Sequence, residues 1–195
     1  MEYVQLIPLV ALAICLSAAC GMRVFLPPFF IGLAAHYGFL DLADQGLAWL
    51  GDWKALTIFG IACVVETGSF YIPYLDNLLD TIASPLAVIA GIALSSSLLS
   101  NYDPAIKWSA AVIAGGGTAG LMQGSTVAVR AASTGLTGGL GNFIVATLEL
   151  LGSILLTLFA VLLPILGVFV VIGVFYLIYL AIKNLKQKMF PKVST

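Results

Sequence analysis

From Leu6 to Ala35 the chain carries one charged residue, Arg23, and charge-poor apolar windows recur almost to its end. In a hydrocarbon layer every backbone N–H and C=O must be paired within the protein, so only helices and closed barrels can cross it. A barrel would show short strands of alternating apolar and polar residues, and that pattern is missing. Composition agrees: 61% of the residues are hydrophobic and 9% charged, against about 45–50% and about 25% in soluble domains. Mean hydropathy is +1.11. The expected class is all-α, a polytopic helical membrane protein with one transmembrane domain over residues 1–195. A net charge of −1, with no basic cluster outside the C-terminal tail, points away from nucleic acid. Membrane lipid is the expected surrounding partner.

Ser17–Cys20 resembles the cleavage site of a secretory leader. The first residues, MEYVQ, hold an acid and no Lys or Arg, however, and the apolar run continues past Cys20. A leader has a basic start and a run that stops at its site. The segment Leu6–Tyr37 is therefore expected to be retained as one membrane segment, interrupted in its middle. As a continuous helix its 32 residues would measure about 48 Å, against a hydrocarbon core of about 30 Å. Pro27 and Pro28 lack a donor N–H and clash with the carbonyl four residues back, which places the break between Gly21 and Leu26, beside Arg23.

Six spans fit the remaining pattern, near 6–36, 54–73, 81–100, 106–132, 141–162 and 165–183. Loops with Pro73, with Asp103–Pro104 and with the glycines of 135–141 separate them. The last span runs into KNLKQKMFPK, with four lysines and no acid. By the positive-inside rule that tail, residues 184–195, is cytoplasmic, and six spans return the N-terminus to the same side. The expected location is a bacterial inner membrane.

The two halves share an order. A Gly- and Ala-rich first span carries Arg23, and the next span carries Glu66; later a Gly- and Ala-rich span carries Arg130, and the next carries Glu149. Three spans per half make the copies antiparallel, giving inverted repeats over about 6–100 and 106–183 with broken first helices. In such proteins the site lies at the repeat interface, near the midplane. The succession GMRVFLPPF, Glu66, Asp76-x-x-x-Asp80, Ser84–Pro85, AGGGTAGL, Arg130 and Leu148–Glu149 resembles an uncharacterised bacterial integral-membrane family, a domain of unknown function with relatives in plants. That resemblance spans nearly the whole chain and implies a membrane fold without an activity. Leu150, where the family pattern has an acid, and the linker STGLTGGLG, which lacks the family's proline, depart from it. The layout is more loosely similar to trimeric intracellular cation channels, which have a seventh span.

Arg23, Glu66, Arg130 and Glu149 are the charges expected deep in the membrane, where basic residues cost about 2.5–3.5 kcal/mol each on insertion scales. Two readings follow: a polar path for an ion or substrate, or two buried Arg–Glu pairs bracing the broken helices. Gly115, Gly116 and Gly117 either pack closely on another helix or unwind to offer backbone groups to the path. Gln123, with Ser125, Thr126, Ser133 and Thr134, makes the stretch before and after Arg130 unusually polar, suited to a wet cavity or to bonds back to its own helix. Asp76 and Asp80, four apart on one helical face with Asn77 beside them, offer oxygens to a hard cation, or cap a helix and are solvated at a cytoplasmic loop. His36, the single histidine, is expected at an interface. Cys15, Cys20 and Cys63 match no metal spacing and are expected to be small buried hydrophobes.

No nucleophile, metal or phosphate motif is present, so neither an enzyme nor a cofactor is expected. The expected function is a small-ion channel or transporter, for a cation, formed by a homo-oligomer (dimer or trimer). The alternative is a non-transporting scaffold for lipids or a partner complex.

Overall fold

Ala11, Ala13, Ala18 and Ala19, with Cys15 and Cys20, give the first helix, α1 (Glu2–Met22), a surface slim enough to be buried along much of its length. The computed structural model describes residues 2–40, 42, 46–72 and 75–189, and among the described residues there is no strand. After α1 come α2 (Leu26–His36), a 3-10 turn (Ala48–Gly51), α3 (Trp53–Ser69) and α4 (Leu75–Leu98). The second half holds α5 (Pro104–Ala110), a π-helical segment (Ala111–Gly116), α6 (Gly117–Thr137), α7 (Asn142–Leu162) and α8 (Pro164–Met189). Helix α1 is the hub, packed against α4, α6, α7 and α8.

The small residues set how closely these helices approach. Ser17 bonds to Gly91 O at 3.3 Å and to Ser95 Oγ at 3.2 Å, tying α1 to α4. Ser153 donates to Ala19 O at 3.0 Å, tying α7 to α1. Such hydroxyl-to-carbonyl bonds join helices where no water competes. A Cβ on Gly21 would stand 2.5 Å from Ala119 O, and one on Gly91 would stand 2.9 Å from Gly115 O. At these points α1, α4 and the α6 region approach too closely for even one added methyl group.

The predicted break in the first segment is present. Arg23 N donates to Ala19 O at 2.9 Å and Phe29 N to Phe25 O at 3.2 Å, so Val24 and Phe25 fall between two helices. Pro27 and Pro28 sit in the first turn of α2, where an N–H would have no carbonyl to reach in any case. The second half differs from expectation. From Pro104 the chain stays helical to Thr137, loosened into a π-turn over Ala111–Gly116 rather than broken, and Arg130 lies within regular helix. One wide turn absorbs the glycines while keeping backbone bonds made.

Among the described residues three helices are long and apolar enough to cross a membrane: Leu78–Leu98, Asn142–Leu162 and Pro164–Asn184, with mean hydropathies of 1.8, 2.2 and 2.8. The segments Leu6–Met22 and Leu26–His36 are apolar but shorter. Other boundaries moved. Helix α4 starts at Leu75 and not near residue 81, and so includes Asp76, Asn77 and Asp80. Helix α8 continues through Met189 into the lysine tail, of which residues 190–195 lie outside the described residues. Asp103 caps α5 by accepting from Ala105 N at 2.8 Å, and Gly138, at φ 63°, ends α6 in the left-handed region.

Candidate functional site

Five charged side chains converge where α1 ends. Arg23 stands at the break, Glu66 on α3, Asp80 on α4, Arg130 on α6 and Glu149 on α7, and none is more than 7% exposed. Arg130 Nη1 donates to Glu149 Oε2 at 2.6 Å, and Arg130 Nη2 donates to Asp80 Oδ1. Arg23 Nη2 donates to Ala146 O at 2.8 Å and lies 3.6 Å from the same Glu149 Oε2. Both guanidiniums also rest against the ring of Phe70, at 4.1 Å for Arg23 and 4.4 Å for Arg130. An aromatic face attracts cations, and here it holds two that would otherwise repel.

Helix spacing explains the convergence. Glu66 and Phe70 are four apart and Ala146 and Glu149 three apart, so each pair shares a face. Arg130 of the second half is joined to Asp80 of the first, while Arg23 of the first is joined to Ala146 and Glu149 of the second. One pair lies within the second half, Arg130 with Glu149, and two cross between halves, Arg130 with Asp80 and Arg23 with Glu149.

Glu66 has a different task. Its Oε1 accepts from Val24 N at 2.7 Å and its Oε2 from Phe25 N at 3.1 Å. These are the two N–H groups stranded at the break, ahead of a helix start whose partial positive charge favours a carboxylate. A buried donor left unmade costs about 1–3 kcal/mol. Glu66→Ala strands both, and Glu66→Gln keeps one acceptor. Thermal unfolding in detergent should rank native above Glu66→Gln and Glu66→Ala lowest; equal midpoints for the two variants would exclude the capping role.

The other sequence candidates separate from the cluster. Gly115 and Gly116 pack on Gly91, Ser95 and Ile92 of α4, and no contact joins Gly117 to the charges among the described residues. Gly115 and Gly116 serve close packing on α4. Gln123 is buried beside Gly21, and its Nε2 finds no partner among the described residues. Asp80, one member of the expected cation-ligand set, is paired with Arg130. The side chains of Asp76 and Asn77 lie outside the described residues, and among the described residues no group of three His, Cys, Asp or Glu is placed to hold a metal. His36 Nδ1 lies 2.8 Å from Gly51 O and its ring 4.5 Å from that of Trp53, fastening the end of α2 to the 3-10 turn.

Phe70 was not singled out from the sequence, although its spacing of four from Glu66 was the available signal. Two apolar crevices approach the cluster. One of about 400 Å³ lies between α3 and α4, with Glu66 and Phe70 in its wall. Another of about 300 Å³ lies between α6, α7 and α8, with Glu149 in its wall.

The model of one protein family, a domain of unknown function (DUF4126), matches residues 10–184. Comparison with curated proteins gave no match, and neither did comparison with solved structures.

Proposed function

Because the chain belongs to the DUF4126 family, whose function is unknown, its own charges must carry the argument, and we propose that it is a small membrane channel or transporter for an inorganic cation. The carrying observation is the buried cluster of two arginines and three carboxylates drawn from both halves of the chain. Apolar side chains of the same volume brace helices as well or better than buried ion pairs do, so bracing alone is a weak reason to keep five charges there. Intramembrane ionisable groups are instead the usual marks of ion paths and proton relays. Three carboxylates against two guanidiniums leave one negative charge in excess, which suits a cation or a proton. Arg23 Nε and Nη1, Arg130 Nε and Glu149 Oε1 have no protein partner among the described residues, which leaves the network room to exchange partners.

In this reading α1–α2, α3 and α4 form one three-span repeat, and α5–α6, α7 and α8 form its inverted copy. The cluster lies at their interface, where inverted-repeat transporters place their sites. Both termini are cytoplasmic, in a bacterial inner membrane, and subunits assemble as dimers or trimers because one short bundle encloses little volume. Ion movement proceeds as Glu149 and Asp80 trade guanidinium partners for the passing ion. Arg23 and Arg130 hold the halves in register and repel excess cations.

Flux into proteoliposomes tests this with potassium, sodium, protons, magnesium and chloride in turn. Cation flux above that of empty liposomes is expected, falling to the empty-liposome level in Glu149→Gln and Arg23→Gln. Silence for every ion from folded, oriented protein would reject the pathway and favour the second reading, a scaffold for lipids or a partner. That reading draws support from Glu66, whose bonds are those of a cap.

A further inference from the structure

We propose that the crevice between α6, α7 and α8 binds a membrane-soluble molecule with an alkyl body and a hydroxyl head, which donates a hydrogen bond to Glu149 Oε1. The crevice encloses about 300 Å³, at the small end of ligand sites. Its wall is apolar, with Met22, Val129, Val145, Leu148, Val174 and Leu177, except for Thr126 and Glu149. Leu148 and Leu177 are themselves 63% and 65% exposed. They stand on two of the helices apolar enough to cross a membrane, so an occupant comes from the bilayer.

The two polar groups specify the head. Thr126 Oγ1 gives its proton to Gln123 O at 3.0 Å, and what it still offers is lone pairs. Glu149 Oε2 takes the arginines, while Oε1 finds no partner among the described residues. Both wall groups therefore accept, and the occupant must donate. A carboxylate or phosphate head would meet Glu149 as a like charge. An ammonium head would have to displace a guanidinium from Glu149, and no second carboxylate lines the crevice to hold it there. A neutral hydroxyl meets neither penalty. The larger crevice between α3 and α4 is an internal control, because each Glu66 oxygen already has a donor, Val24 N or Phe25 N, and neither stands unpartnered as Glu149 Oε1 does.

The site shares Glu149 with the proposed ion path, but its occupancy is read by labelling and needs no ion flux, so the two can fail separately. The full chain in phosphatidylcholine vesicles is photolabelled with a long-chain primary alcohol carrying a diazirine in its alkyl chain, and labelled peptides are mapped by mass spectrometry. Label is expected within 145–152 and 174–181, suppressed by decanol and not by decane. Val145→Phe and Ala181→Phe, which fill the crevice without touching a charge, should each abolish that label, so either suffices if the other fails to fold. Label spread evenly along the outer face of α8, or equal suppression by decane, would overturn the proposal. Suppression by decylamine or decanoate in place of decanol would also overturn it, by assigning a charged head.

Discussion

Arg130→Met should destabilise the folded protein by about 3–5 kcal/mol, the penalty for removing one partner from a buried ionic network. The substitution leaves Asp80 without its guanidinium and Glu149 with Arg23 alone, at 3.6 Å. A large fall in the thermal midpoint in detergent is the expected reading. The companion variant Arg130→Met/Asp80→Leu decides what kind of penalty this is. It removes one cation and one anion together and keeps Arg23 opposite Glu149, so the cluster's excess of one negative charge is unchanged. Its midpoint should recover most of the way to that of the native chain, since replacing a whole buried pair by apolar residues is often neutral. If the double variant is as unstable as the single, the loss lies in the packing of the Arg130 side chain against Phe70, and the electrostatic account fails. Ion flux separates the two roles further, because the double variant restores stability and, if the cluster is the path, restores no flux.

Gly21→Val should be comparably severe for an unrelated reason. A Cβ there would stand 2.5 Å from Ala119 O and 2.6 Å from Met122 Cβ, and the first of these is backbone that cannot rotate away. Overpacking usually costs about 1–3 kcal/mol and more where nothing yields. Here α1 must move off α6, which also shifts Arg23 two residues on. Gly124→Ala is the control, as a Cβ at Gly124 meets nothing within 4 Å. It should be neutral or stabilising by about 0.4–1 kcal/mol through the unfolded chain. Monodispersity and thermal midpoint of the two proteins measure the contrast, and a mild Gly21→Val would mean that the α1–α6 approach tolerates separation.

What was legible in the sequence was legible for local reasons. The break between Met22 and Leu26 follows from two prolines and a segment too long for the bilayer. Asp103 before Pro104, and Gly138 after Thr137, mark helix ends through bonds made within a few residues. The glycine triplet announced a disturbed helix, though the disturbance is a π-turn whose glycines serve packing on α4. The helical spacing of Asp76 and Asp80 was legible, but nothing local marked Arg130, 50 residues on, as the partner of Asp80.

Composition and local chemistry by themselves determined the all-helical class, the helix break at Arg23 and the identity of the arginines and glutamates that resist burial. Those outcomes depend on groups within about four residues of one another and on the solvent the chain must satisfy. The tertiary structure alone decided the partners. Glu66 caps Val24 and Phe25 from 42 and 41 residues away, and Arg130 reaches Asp80 across 50. Over such separations no periodicity links the two ends. Which carboxylate meets which guanidinium is settled only by how closely Gly21, Gly91 and Gly115 let α1, α4 and α6 approach.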